Sequence, residues 1–165
     1  MPEATWIVRP MRDDEREAMG CWAADTWGSK VILSRGVAHD VCDLPAFLAI
    51  DFETGEWLGS ASYCIEAGEC ELVQMEARQR SIGIGTALLE AVEVAARAAG
   101  SRRIWLTTTN DNLDALRFYQ RRGFRLVKVW RDSVVEARHR KPEIPLTGDH
   151  GIAINDEIEL EMALA

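Results

Sequence analysis

The sequence predicts one mixed α/β (α+β) domain spanning residues 1–165, with a largely antiparallel sheet of six to seven strands flanked by helices. Three observations carry this. Several short segments alternate apolar and polar residues, most cleanly Ile158 to Leu164. One segment, from Ile84, repeats its apolar residues at helical spacing. The order of segments is strand, helical region, three strands, helix, strand, helix, two strands.

Thr5 to Arg9 reads as a strand stopped by Pro10, and Asp13 to about Trp27 as a helix with acidic residues in its first turn. Gly28 to Leu44 is punctuated by Gly28, Ser34, Gly36 and Asp43-Leu44-Pro45 and reads as a loop with room for a short helix. Ala46–Asp51 and Trp57–Ile65 are strands joined by a turn at Thr54-Gly55, and Cys70–Glu76 follows the turn Ala67-Gly68. From Ile84, apolar residues recur at Ala87, Leu88, Ala91, Val92 and Ala95, and Gly100 ends the helix. Arg103–Thr109 alternates as a strand. Asn110-Asp111-Asn112 supplies caps for a helix through Arg122, which Gly123 stops. Phe124–Trp130 and Ile158–Leu164 complete the strands, separated by a long connection from Arg131 to Asp156.

Composition narrows the function. With 47% hydrophobic and 28% charged residues, the chain fits a soluble globular protein rather than a disordered one. A net charge of −8 argues against nucleic acid, which needs a basic face, as a partner. No apolar stretch reaches membrane-spanning length, and Met1 to Arg12 carries no signal-peptide core, so a cytoplasmic address is expected. Cys21, Cys42, Cys64 and Cys70 have no metal-ligand spacing and are expected as free thiols, and no metal is implied.

The most informative run is Arg80-Ser81-Ile82-Gly83-Ile84-Gly85, between a strand and the start of a helix. A helix start offers unpaired N–H groups and a partial positive charge, and glycines let the backbone approach a ligand closely. A phosphate or pyrophosphate is the expected ligand. The dinucleotide pattern G-x-G-x-x-G/A fails, because Leu88 stands where its third small residue belongs.

Two motifs then carry a resemblance. Arg80-x-x-Gly83-x-Gly85 is similar to the acetyl-CoA pyrophosphate motif Q/R-x-x-G-x-G/A of the GNAT acetyltransferase superfamily. Asn112-x-x-Ala115-x-x-x-Tyr119-x-x-x-Gly123-Phe124 resembles its later signature, at the usual separation. The chain also resembles a bacterial group of GNAT proteins of undefined substrate. The resemblance implies acetyl-CoA in a cleft where the strand near Met75 splays from Ile104–Thr109. Backbone groups around Met75 and Ala77 would pair with the pantetheine arm. Amides of Arg80, Ser81, Ile82, Gly83, Ile84, Gly85 and Thr86 would hold the pyrophosphate. Family forms have glycine where Ser81 stands. The Arg80 side chain either adds a charge-assisted contact or is a solvated surface group.

The resemblance gives Tyr119 the task of protonating the departing thiolate. Asn112 caps its helix, binds the pantetheine, or both. Glu71 is the candidate base that takes a proton from an amine acceptor, with Glu69 on its face of the strand and Glu76 on the other. For the acceptor end, the segment Trp27 to Asp40 offers Trp27, Arg35 and His39, and the long connection offers His139 within a basic cluster of Arg138, Arg140 and Lys141. That cluster either meets an acceptor carboxylate or forms a solvated face. The expected activity is acetyl transfer to a primary amine of a small molecule or peptide in a ternary complex. The alternatives are a non-catalytic acyl-CoA-binding module and transfer of another acyl group or to another atom. Proteins of this kind often form homodimers.

Overall fold

The computed structural model describes residues 5–80 and 82–164. Strand β1 (Trp6–Pro10) leads through a short 3-10 turn at Asp13–Glu15 into helix α1 (Arg16–Trp27). Glu15 fixes this entry. Its carboxylate accepts from the backbone N–H of Arg12 and from the Arg9 guanidinium, and the Arg9 bond holds its pKa down to about 2.

A two-stranded hairpin follows, β2 (Val31–Ser34) and β3 (Val37–Asp40), where the sequence reads as a loop. Its two turn residues, Arg35 and Gly36, both have positive φ, 48° and 78°, as a tight hairpin turn requires. Strands β4 (Ala46–Asp51), β5 (Trp57–Glu66) and β6 (Glu69–Ala77) then pair in antiparallel succession. Helix α2 (Ile84–Ala98), β7 (Arg103–Thr109), α3 (Leu113–Arg121), β8 (Arg125–Trp130), α4 (Ser133–Arg140) and β9 (Glu157–Ala163) complete the order. Helix α4 lies inside the connection that reads as irregular in the sequence.

The main sheet has seven strands in the order β1-β4-β5-β6-β7-β9-β8, antiparallel except where β6 meets β7. Period-2 alternation sorts β4 between two layers. Ala49 joins the core under α2, with Leu88, Leu89, Val92, Ile104 and Leu160. Ala46 and Leu48 join the opposite core with Met19, Trp22 and Ala23 of α1. Leu88 is fully buried, so Leu88→Ala should cost about 2–5 kcal/mol.

Two irregularities shape the middle of the sheet. The β6–β7 pairing consists of Cys70 opposite Ile104 and Glu71 opposite Trp105, after which the strands diverge. A bulge also shifts the β5–β6 register, with Ser62 opposite Gln74 but Tyr63 opposite Leu72, so Val73 is extra. Cys70 and Leu72 before the bulge, and Met75 and Ala77 after it, all meet the core under α2. Glu71 and Glu76 therefore share the other face. Strict alternation had placed them on opposite faces, and the bulge reverses that.

All four cysteines are free thiols; burial pushes the pKa of Cys70 up to about 12. Among the described residues, no helix is long and apolar enough to cross a membrane.

Candidate active site

Helix α2 begins at Gly83, which adopts φ 88° and leaves open space where a Cβ would stand. Gly83 has no side chain with which to cap this helix start, and the first turn carries no acidic residue. The first N–H groups, which have no acceptor within a helix, are thus available to an anion. At Gly85, a Cβ would come within 3.3 Å of the Phe118 ring. A side chain there would crowd the passage between α2 and α3.

This turn opens onto a cavity of about 420 Å³ between the end of β6, the start of α2 and helix α3. Met75, Ala77, Arg80, Gly83, Ile84, Gly85, Thr86, Asn112 and Tyr119 all line it, which brings together most of the residues expected to hold the acyl donor. Ile82 is exposed beside it, and Ser81 lies outside the described residues. Met75 and Ala77 use one strand edge to pair with Ala61 and Gly59 of β5. Their other edge faces the divergence from β7, the place for an extended arm. The glycine-free-Cβ cradle, open helix start and unpaired strand edge fit a phosphate-bearing, extended ligand such as coenzyme A.

Arg80 is engaged elsewhere. It pairs with Asp114 at 2.8 Å, and Arg117 approaches the same carboxylate at 3.5 Å, so Asp114 ties the loop to α3. The Arg80 side chain is 80% exposed, which makes the pair a weak one. Three arginines that the motifs did not single out, Arg117, Arg121 and Arg122, also line the cavity. Arg122 donates to Thr86 Oγ1 at 2.7 and 3.1 Å and stacks on Phe118, which fixes α3 against the start of α2. Spacing held the signal: Arg117 and Arg121 stand four apart on the helix of the second motif.

Tyr119 is buried, with Phe118 and Phe124 packed edge-on against its ring at 5.1 and 5.4 Å. Burial, reinforced by Glu76, raises its pKa and keeps the phenol protonated at neutral pH. Asn112 does cap α3, its Oδ1 accepting from the N–H of Ala115 at 3.1 Å, while also lining the cleft.

A second cavity, about 170 Å³, lies in the divergence of β6 and β7, with Trp27 and Ile32 in its wall. It shares Met75, Asn112, Ala115 and Tyr119 with the first. Tyr119 therefore belongs to the walls of both cavities. The far wall includes Gln74, whose amide donates to Ser62 at 2.7 Å and to Ser60 at 3.1 Å, both serines fully buried.

Glu71 lines neither cavity. It is buried beneath the β2–β3 hairpin, where His39 Nε2 lies 3.3 Å from its Oε2. Burial raises its pKa, against opposing contributions from Ser34, His39 and Arg35. Glu76 does line the larger cavity, and burial raises its pKa as well. Arg35 pairs with Glu159 at 2.8 Å and lies over the rings of Trp105 and Trp130. It braces the hairpin on the sheet and lines neither cavity.

The basic cluster keeps His139 and Arg140 exposed, while three of its members bond to backbone carbonyls. Arg140 donates to Gly36 O and Lys141 to Val31 O, which fastens α4 to the hairpin. Arg138 donates to the carbonyls of Ile144, Pro145 and Ile154. His139 is exposed on α4 and lines neither cavity.

Comparison with known proteins agrees with this arrangement. The model of the acetyltransferase (GNAT) family matches residues 8–124. The uncharacterized protein YdhI of Bacillus subtilis (strain 168) is 39% identical over 154 residues, 92% of this chain and 94% of that protein. The uncharacterized protein YxbD of the same strain is 40% identical over 135 residues, 81% and 84% of the two chains. Among solved structures, an IAA acetyltransferase from Bacillus cereus ATCC 14579 superposes with TM-score 0.72 at 20% identity, covering 96% of this chain and 99% of that one. A GNAT family acetyltransferase from Elizabethkingia anophelis with acetyl-CoA bound gives TM-score 0.67 at 17% identity, covering 98% and 100%. At these identities the structural likenesses establish the fold.

Proposed function

The chain belongs to the acetyltransferase (GNAT) family, and from that premise we propose that it is an acetyl-CoA-dependent N-acetyltransferase acting on a primary amine by direct transfer in a ternary complex. The observation that carries the proposal is the position of Tyr119, shared by the cavity that begins at the glycine turn and the cavity between β6 and β7.

Acetyl-CoA supplies an activated acetyl group. The open amides of α2, with Arg117, Arg121 and Arg122 nearby, suit its phosphates, and the free edge of Met75–Ala77 suits its pantetheine arm. In the transfer, the bond from acceptor nitrogen to acetyl carbon forms and the carbon–sulfur bond breaks. A carboxylate takes the proton that the ammonium loses before attack, Tyr119 gives its phenolic proton to the departing sulfur, and the second proton shed by the acylated nitrogen returns to the Tyr119 phenolate.

Glu71 is the proposed base. Its raised pKa suits proton removal, and its neighbour Leu72 lines the smaller cavity, so a water relay would have to link the carboxylate to the cleft. A second reading assigns the base to Glu76, because Glu76 lines the cavity that Tyr119 lines. Comparison of Glu71→Gln with Glu76→Gln separates the two.

The proposal is tested by thiol release from acetyl-CoA across panels of amines, amino acids, aminoglycosides and peptides. Acceptor-dependent release supports it. A flat response, with acetyl-CoA still bound, would favour a non-catalytic acyl-CoA-binding module.

A further inference from the structure

We infer that the acceptor is a small primary amine with an uncharged, largely apolar body, and that carboxylate-bearing amino acids and polycationic amines are poor substrates. This rests on the proposed acetyl transfer and narrows its acceptor.

The smaller cavity adjoins Tyr119 on the side away from the glycine turn, so it receives the acetyl end of the donor and the amine that meets it. Among the described residues, its wall contains no Asp, Glu, Lys, Arg or His. The apolar share comes from Trp27, Ile32, Leu72, Val73, Met75 and Leu106. An acceptor carboxylate buried there would have no cation to pair with, and additional ammonium groups would have no anion. Cations of the β2–β3 hairpin and of helix α4 are already engaged. Arg35 is held by Glu159, and Arg140 and Lys141 by hairpin carbonyls.

Neutral polar groups in the wall suit one amine. Gln74 spends both amide hydrogens on Ser60 and Ser62, while its Oε1 has a single long contact of 3.4 Å from Ser60. That oxygen, together with the hydroxyl of Thr107, which also meets Ser34 Oγ at 3.1 Å, can accept from an ammonium or amine N–H.

Matched pairs test the inference directly. Isopentylamine and leucine differ by one carboxylate, as do phenethylamine and phenylalanine. With acetyl-CoA binding followed in parallel by calorimetry, kcat/KM for each amine should exceed that for its amino acid by at least about tenfold. Ile32→Lys, which puts a cation into the wall, should narrow that ratio, and Thr108→Lys on the facing wall should do the same if the first variant does not fold. Equal or better use of the amino acids would overturn the inference. So would silence from all four compounds in protein that binds acetyl-CoA. Failure to bind acetyl-CoA at all would instead remove the acetyltransferase proposal, and this inference with it.

Discussion

Glu71 and His39 face each other across two sheets, Oε2 to Nε2 at 3.3 Å, both nearly enclosed, without the alignment of a hydrogen bond. The contact joins the strand that borders the cleft to the hairpin that covers it.

Glu71 should leave two pH signatures. A carboxyl whose folded pKa lies above its ordinary value of 4.5 stabilises the fold fully below that value and loses the contribution as pH rises through the folded pKa. Glu71→Gln removes this loss, so its stability relative to the native chain should grow as pH rises from 4.5. Urea denaturation across pH reads it; a constant difference would show that Glu71 titrates normally. If Glu71 is the base, the acidic limb of kcat/KM should also lie above pH 4.5 and vanish in Glu71→Gln rather than in Glu76→Gln.

Tyr119→Phe keeps the ring and its packing on Phe118 and Phe124 but removes the proton donor. Turnover should fall by roughly 10²-fold or more with little change in acetyl-CoA affinity. Unaltered turnover would take Tyr119 out of the chemistry.

At Gly85, the Phe118 ring leaves no room for a large side chain. Gly85→Leu should abolish acetyl-CoA binding in calorimetry while circular dichroism reports an intact fold. Normal binding by the folded variant would place the phosphates elsewhere.

Arg35→Ala would strip Glu159 of one guanidinium, leaving Arg103 at 3.2 Å, and would remove the cap on Trp105. Loss of a charge-assisted bond at this partly exposed position should cost about 2 kcal/mol in denaturant unfolding. No loss would mean that the hairpin is held chiefly by Arg140 and Lys141.

Much of this was legible in the sequence because the signals were local. Gly83 needs its left-handed backbone, Asn112 caps its own helix, and the stripe from Ile84 buries one face. What escaped depended on distant partners or uncommon local choices. The hairpin turns on Arg35-Gly36, and arginine is an unusual residue for positive φ. Helix α4 starts at Asp132 in a left-handed conformation and opens Ser-Val-Val, a poor helical beginning whose support comes from contacts to Asn155 and to the hairpin. The bulge at Val73 is set by pairing with β5, so no pattern within β6 announces that Glu71 and Glu76 share a face. His39 and Glu71 meet only after both sheets form.

The central claim is that Tyr119 stands where donor and acceptor meet. A crystal structure of the protein with coenzyme A tests it most directly. The account predicts phosphates on the amides at Gly83 to Thr86, the pantetheine arm along Met75–Ala77, and the sulfur within hydrogen-bond reach of the Tyr119 hydroxyl. Coenzyme A bound with its sulfur away from Tyr119, or outside the β6–β7 divergence, would contradict it.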